Sequence, residues 1–192
     1  MSMNAFWLFM ALGLWGFLHS WLASHRVKRF FQQRWGTFYR AYRLFYNLFA
    51  SVTFLPILWL VAFLPDRLLY TLRGPWMFLA FFGQGMALLM LAIALLQTDL
   101  WQFLGLRPER PGRLVRDGFY RFMRHPLYTF GLLFLWLSPR MTFNQFLLSV
   151  GITVYILIGA SLEERKLLQE FGSAYEEYRS QTPMLFPLRF KR

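Results

Sequence analysis

Apolar residues in this chain gather into five stretches separated by polar segments. The first, Phe6 to Trp21 inside an apolar run from Asn4 to Ala23, carries Gly13 and Gly16 as a small-residue stripe for close helix packing. That run is too long and too aromatic for an ordinary cleaved signal peptide and lacks the basic start, so it is expected to stay as a membrane helix. His25 to Arg43 follows, with Arg26, Lys28, Arg29, Arg34, Arg40 and Arg43, no acidic residue and many aromatics, the pattern of an interfacial amphipathic connector. Leu44 to Leu64 is the second span, with Pro56 as a kink point. A short link from Pro65 to Pro75 leads into the third, Trp76 to Gln97, where Gly83 and Gly85 permit a neighbour to approach. A polar stretch, Thr98 to Arg124, precedes the short apolar run Leu127 to Leu137. Ser138-Pro139-Arg140 marks a turn, and Phe143 to Ala160 is the last span. From Leu162 a polar helix is expected, interrupted at Gly172 and followed by a proline-punctuated tail.

This pattern predicts an all-α fold: a polytopic membrane helix bundle of about five transmembrane helices, ending in a helical hairpin with polar segments on the cytoplasmic side. It reads as one integral membrane domain, with three membrane helices in residues 1–97 and the two polar clusters in residues 98–192. Eleven residues cover only about half of a roughly 30 Å hydrocarbon core. The fourth helix is therefore expected to borrow its aqueous end from the Arg121–Pro126 region, to tilt or to fall short of a full crossing, the first being favoured; Pro126 suits the first position of a helix.

With five spans, the connectors 25–43, 98–126 and 161–192 share one side and carry six Lys or Arg each. The other side holds only Arg67, Arg73 and Arg140 of the 21 basic residues. Cytoplasmic loops are enriched in Lys and Arg, which predicts a multi-pass protein of the inner or plasma membrane with its C-terminus in the cytoplasm.

Composition sharpens the picture. The chain is 57% hydrophobic and 16% charged, where a soluble domain has about a quarter of its residues charged. The absence of cysteine removes disulfides, thiolate metal sites and a cysteine nucleophile. The net charge of +12 sits beside hydrophobic runs, so membrane lipids with anionic headgroups are the expected partners, and nucleic acid is not. There is no P-loop, GxGxxG turn or HExxH pair.

Two polar clusters flank the last hairpin. The first is LVRDGFYRFMRHPLY, Leu114 to Tyr128; the second begins at Glu163-Glu164 and continues through FGSAYEEYRSQTP, Phe171 to Pro183. A hairpin returns the chain to the side it left, so the clusters can meet. Asp99, Asp117, Glu163 and Glu164 lie closest to the apolar spans, where a carboxylate is costly unless paired or facing a polar cavity. From periodicity alone, Glu163 is equally a ligand anchor or a solvated partner of Lys166 three residues on. Arg124 is a site residue or snorkels to headgroups. His125 is a base, a donor to a ligand or only a residue before proline. Tyr120, Tyr128, Tyr175 and Tyr178 stack on a ring or belong to an aromatic belt. His19 and Ser20 either face a polar site or form an interfacial pair.

LVRDGFYRFMRHPLY followed by EERKLLQEFGSAYEEYRSQTPMLFP resembles the C-terminal signature of the integral membrane methyltransferases, which include isoprenylcysteine carboxyl, phospholipid and methanethiol S-methyltransferases. That signature is G-x-Y-x-x-x-R-H-P-x-Y, a helical hairpin, E-E-x-x-L-x-x-x-F-G-x-x-Y-x-x-Y and a terminal proline pair. It covers residues 98–187, and every fixed position is present. The N-terminal LHSWLASHRVK resembles uncharacterised bacterial members and proteins of the NnrU type. The resemblance implies a cofactor-binding half at 98–192 and S-adenosylmethionine as methyl donor. By position, the cofactor would be held by Leu114, Val115, Tyr120, His125, Pro126, Leu127, Tyr128 and Glu163, with Glu164 and Arg124 behind them. A thiol acceptor would be attacked as thiolate, and nearby Arg124 or His125 is the candidate group to favour that form electrostatically. In isoprenylcysteine enzymes an arginine four residues before the first glutamate handles the substrate carboxylate; here that position is Gly159. LWLSPRMT and TPMLFP resemble the methanethiol branch, so a thiol is the favoured acceptor, with an isoprenylcysteine carboxylate or a lipid amine as other lipophilic acceptors.

Two further classes compete. Membrane sterol reductases share a related C-terminal architecture with a nicotinamide cofactor, and the intact EE pair argues against them. A non-enzymatic membrane partner handling haem through His19, His25 and His125 would rest on three histidines in separate segments.

Overall fold

The computed structural model of the chain describes residues 3–107 and 114–187. The basic residues at 110, 113, 189, 191 and 192 that enter the charge asymmetry lie outside them, as do the side chains of His25 and Arg40.

Helix α1 is Met3–Leu22 and α2 is His25–Trp35, opened by Ser24, whose hydroxyl accepts from Val27 N at 3.4 Å. A 3₁₀ stretch, Gly36–Ala41, leads into α3, Tyr42–Phe63, which runs through Pro56 without a break. Strand β1 is Leu68–Thr71, and α4, Pro75–Leu96, starts on a proline that has no N–H to waste. Helix α5 is Leu100–Leu104, and a 3₁₀ turn occupies Gly118–Arg121. Then come α6, Pro126–Trp136, strand β2, Arg140–Thr142, α7, Phe143–Phe171, and α8, Ser173–Gln181.

The fold is essentially all helical. Helices α1, α3, α4 and α7 are long and apolar enough to cross a membrane by length and composition. Phe17, Phe63, Phe78 and Phe82 are each about two-thirds exposed, an arrangement suited to lipid rather than water. The pairing of β1 with β2 was not anticipated from the sequence.

Helix α6 begins at Pro126 as expected, and the segment before it is not α-helical: Gly118–Arg121 is a 3₁₀ turn. Proline disfavours helical backbone in the residue before it, and His125 sits at φ −125°, ψ 64°. The polar helix expected from Leu162 is not separate. It continues α7, whose 29 residues run from Phe143 to Phe171, about 44 Å at 1.5 Å per residue. The helix ends where Gly172 takes φ +54°.

The chain forms two compact units, each drawn from three stretches. The first comprises Met1–Tyr70, Leu100–Pro111 and Met141–Ile152. Ala5, Leu8 and Leu147 form its core, covered by Leu60, Val61, Leu64 and Phe143. At one end two helix termini cap each other: Asn144 N donates to Asp66 Oδ1 at 3.0 Å, and Asn144 Nδ2 donates to the Leu64 carbonyl at 3.2 Å. The start of α7 and the end of α3 thereby satisfy groups that a helix leaves unpaired. His19 is stacked on Trp15 at 4.9 Å, and its Nε2 lies 2.6 Å from the Tyr46 hydroxyl. Gly13 faces open space, so it does not provide the expected close contact, whereas Gly16 is buried.

The second unit comprises Thr71–Asp99, Gly112–Arg140 and Thr153–Arg192. Its core is Ala94, Met123 and Phe130, with Met90, Leu91, Phe119, Leu127 and Leu133 packed on it. Helix α6 lies along α4. A Cβ on Gly83 would stand 3.0 Å from Leu137 Cδ1, and Gln84 Nε2 donates to the Phe134 carbonyl at 2.9 Å. Gly85 makes no such contact. Beyond one end of α6, Phe119 N donates to Gln97 Oε1 at 3.0 Å; beyond the other, Leu72 N donates to the Pro139 carbonyl at 2.8 Å. Residues 118–139 thus run the whole length of α4, with α6 completed by non-helical backbone at both ends.

Candidate functional site

The residues singled out by the methyltransferase signature all fall in the second unit, whereas His19, Ser20 and His25 belong to the first. The two glutamates illustrate how the sequence sorts itself. Consecutive helical positions point about 100° apart, so an EE pair cannot place both carboxylates on one face. Glu164 turns inward and is buried, whereas the Glu163 side chain remains 46% exposed.

Around Glu164 a polar clasp closes. Arg124 Nε donates to Glu164 Oε1 at 2.7 Å, and its Nη2 lies 2.6 Å from the same oxygen, both side chains being only 9% exposed. His125 Nε2 stands 3.3 Å from Glu164 Oε1, and Arg179 Nε 3.6 Å from Oε2. Arg124 Nη1 also donates to the carbonyls of Arg179, at 3.0 Å, and Thr182. A buried carboxylate is tolerated only with this degree of pairing.

The tail forms the other wall. Thr182 is extended, at φ −120° and ψ 127°, as the residue before a proline favours. Arg124 N donates to the Pro183 carbonyl at 2.9 Å and His125 N to the Met184 carbonyl at 3.1 Å. The Thr129 hydroxyl donates to the Leu185 carbonyl at 2.7 Å. The tail therefore takes up donors at the start of α6, where no preceding helical turn could accept them.

Glu163 lies on the accessible side. The Tyr128 hydroxyl donates to its Oε2 at 2.8 Å, and His125 Nδ1 is 3.9 Å from the same atom. The His125 and Tyr128 rings stack at 5.3 Å with 15° between their planes. The result is a fixed, partly exposed carboxylate beside a flat ring pair.

Tyr120, on the 3₁₀ turn, receives the Tyr178 hydroxyl on its carbonyl at 2.5 Å. Burial, and after it the Glu163 charge, pushes the Tyr120 phenol up to about 12. Burial followed by Glu164 does the same for Tyr175, and burial followed by Tyr175 for Tyr178, each to about 12. At neutral pH these phenols keep their protons, and Tyr178 uses its proton on the Tyr120 carbonyl. The Tyr175 hydroxyl is fully buried and has no hydrogen-bond partner.

Arg124, His125, Tyr128, Glu163 and Glu164 therefore come together, and Tyr120 joins through Tyr178. Pro126 is buried, and Leu127 packs into the core of the unit. Leu114 and Val115 lie half-buried on the segment leading to the 3₁₀ turn. Sequence reasoning missed Gln97, Arg179 and the tail carbonyls. Pro183 was the available signal, because a proline-directed extended segment presents carbonyls without an internal helix to use them.

The chain is 44% identical over 73 residues to methanethiol S-methyltransferase 2 of Bradyrhizobium diazoefficiens, covering 38% of this chain and 28% of that one. It is 39% identical over 82 residues to a methanethiol S-methyltransferase of Crocosphaera subtropica, covering 43% and 32%. A methanethiol S-methyltransferase of a Pseudomonas species is 34% identical over 133 residues, covering 62% and 50%. The chain thus spans half or less of the length of these curated relatives. No solved structure matches it. Residues 2–182 match the family described as a protein of unknown function, DUF1295, and since that match takes in nearly the whole chain, the chain belongs to this family.

Proposed function

We propose that the chain is a membrane methyltransferase that transfers the methyl group of S-adenosylmethionine to a small thiol at the cytoplasmic end of the second unit. The observation that carries this reading is the division of labour between the two glutamates, supported by relatives named for thiol methylation. Glu164 is consumed by the clasp; Glu163 is fixed by Tyr128 yet remains open to a ligand. A fixed carboxylate acceptor beside a stacked imidazole and phenol suits a nucleoside bearing ribose hydroxyls and an ammonium group. The buried, unpartnered Tyr175 hydroxyl adds a spare donor to the same unit.

In this reading Glu163, Tyr128, His125 and Tyr120 hold the cofactor, with Leu114, Val115, Pro126 and Leu127 shaping the walls. Glu164 fixes His125 from behind. Bound there, S-adenosylmethionine supplies a methyl group already activated on a sulfonium, and a thiolate is the form of the acceptor that takes it. The chain's contribution is to orient the two partners and exclude water. Arg124 acts mainly by position and by its positive charge, since its donors are spent on Glu164 and the tail carbonyls.

Support for a neutral acceptor comes from α7. Gly159 lies one turn before Glu163, and a Cβ there would meet nothing within 4 Å. No cation stands at that position to meet a carboxylate. A small or neutral acceptor is therefore favoured over a prenylcysteine carboxylate. Assays with labelled donor are expected to give strong methylation of methanethiol and weak or no methylation of a farnesylcysteine analogue. Equal activity on the two would overturn the acceptor assignment.

Orientation is tested separately. The basic residues of 25–43, 98–126 and 161–192 support a cytoplasmic site. A reporter fused after Arg192 is expected to be active only where it stays cytoplasmic; activity confined to the outside would reverse the assignment.

A further inference from the structure

The first turn of α3 is gripped from two directions inside the first unit. On one, Phe31 of α2 lies 5.2 Å from Tyr42, and Trp35 lies 6.5 Å from Phe45. On the other, the loop closing α5 presses against the main chain. A Cβ on Gly105 would stand 2.5 Å from Leu44 N, and Gly105 itself sits at φ +82°, so only glycine fits. Asn47 Nδ2 completes this contact by donating to the Phe103 carbonyl at 3.0 Å.

Held this way, α2 and α5 present surfaces unlike those of a water-soluble domain. On α2, Val27 is buried, and Arg26, Arg29 and Arg34 are exposed together with Phe30 at 62%. On α5 and its closing loop, Trp101, Phe103, Leu104 and Leu106 are all exposed, with Arg107 over the Trp101 ring at 6.0 Å. Both helices sit where α1 has ended and α3 begins, the level at which a membrane span leaves the hydrocarbon. The chain contains no acidic residue before Asp66, so nothing acidic on α2 or α3 competes for these arginines.

We propose that α2 and α5 form a collar that binds anionic phospholipid headgroups, α2 through arginine–phosphate contacts and α5 by inserting its aromatic and aliphatic side chains at the interface. The charge selects the occupant: arginine forks match phosphate oxygens, and basic segments beside a membrane are drawn to anionic lipid. Exposed tryptophan and phenylalanine beside arginine fit the headgroup layer better than water or hydrocarbon alone. The inference concerns the first unit only and stands whether or not the methyl-transfer reading holds.

The test uses the full chain in neutral detergent micelles, titrated with phosphatidylglycerol, with phosphatidylcholine, or with soluble glycerol phosphate. Phosphatidylglycerol is expected to bind at least tenfold more tightly than phosphatidylcholine and to weaken as salt rises, with glycerol phosphate far weaker than either. Each arginine contributes about fivefold, so the triple variant Arg26→Gln, Arg29→Gln, Arg34→Gln is expected to lose roughly a hundredfold. Equal affinity for the two lipids, or an unchanged triple variant, overturns the collar. Glycerol phosphate binding as tightly as phosphatidylglycerol would replace it with a site for soluble anions. The wild-type lipid and salt comparison decides the matter even if the triple variant does not fold.

Discussion

Replacing Arg124 by methionine is expected to cost about 3–5 kcal/mol of stability, because it leaves a buried carboxylate without its main partner. Glu164 is buried, and what remains beside it is the His125 ring at 3.3 Å and Arg179, half exposed and 3.6 Å away. The same substitution removes the donors to the Arg179 and Thr182 carbonyls, so the tail loses its anchor as well. Thermal unfolding in detergent should show a lower transition, and limited proteolysis should cut first near Thr182–Pro187. A double variant, Arg124→Met with Glu164→Met, is expected to recover part of the loss, since removing both partners of a buried pair spares the uncompensated charge. A shift within about 0.5 kcal/mol for the single variant would mark the pair as an ordinary surface contact.

Glu163→Gln is expected to behave in the opposite way. Its side chain is 46% exposed, and glutamine can still accept from Tyr128, so the fold should hold. What is lost is the charge offered to a ligand. One charged hydrogen bond is worth roughly 1.5–3 kcal/mol, about tenfold to a hundredfold in affinity. Titration calorimetry with S-adenosylhomocysteine should register that loss, with thermal stability unchanged. Unaltered affinity would return Glu163 to the solvated-helix reading, in which it pairs with Lys166.

Much of this was legible in the sequence, for particular reasons. The long spans are visible because continuous apolar runs have few alternatives. Pro126 marks the start of α6 because its ring fixes φ and lacks a donor. The meeting of Arg124 and His125 with Glu163 and Glu164 followed from a hairpin returning to its own side. Other features were hidden because they depend on tertiary partners. Leu68–Thr71 and Arg140–Thr142 are too short to carry a strand signature, and each is extended only because the other is there. The continuity of α7 from Ala160 into Leu162 was obscured by the change from apolar to polar residues, which alters the surroundings of a helix but not its backbone. Periodicity alone did not say which glutamate turns inward, whereas the resemblance set Glu164 behind Glu163; in the fold, Arg124 is what Glu164 turns towards.

The central claim is methyl transfer from S-adenosylmethionine to a thiol, and its most direct measurement is a single-turnover assay on the purified full chain in detergent. Donor carrying a labelled methyl group is mixed with methanethiol, and the labelled thioether is counted beside a parallel sample of Glu163→Gln. One labelled thioether per active chain is expected in the wild type and at least tenfold less in the variant at limiting donor. A wild-type chain that binds neither S-adenosylmethionine nor S-adenosylhomocysteine and forms no labelled thioether would contradict it.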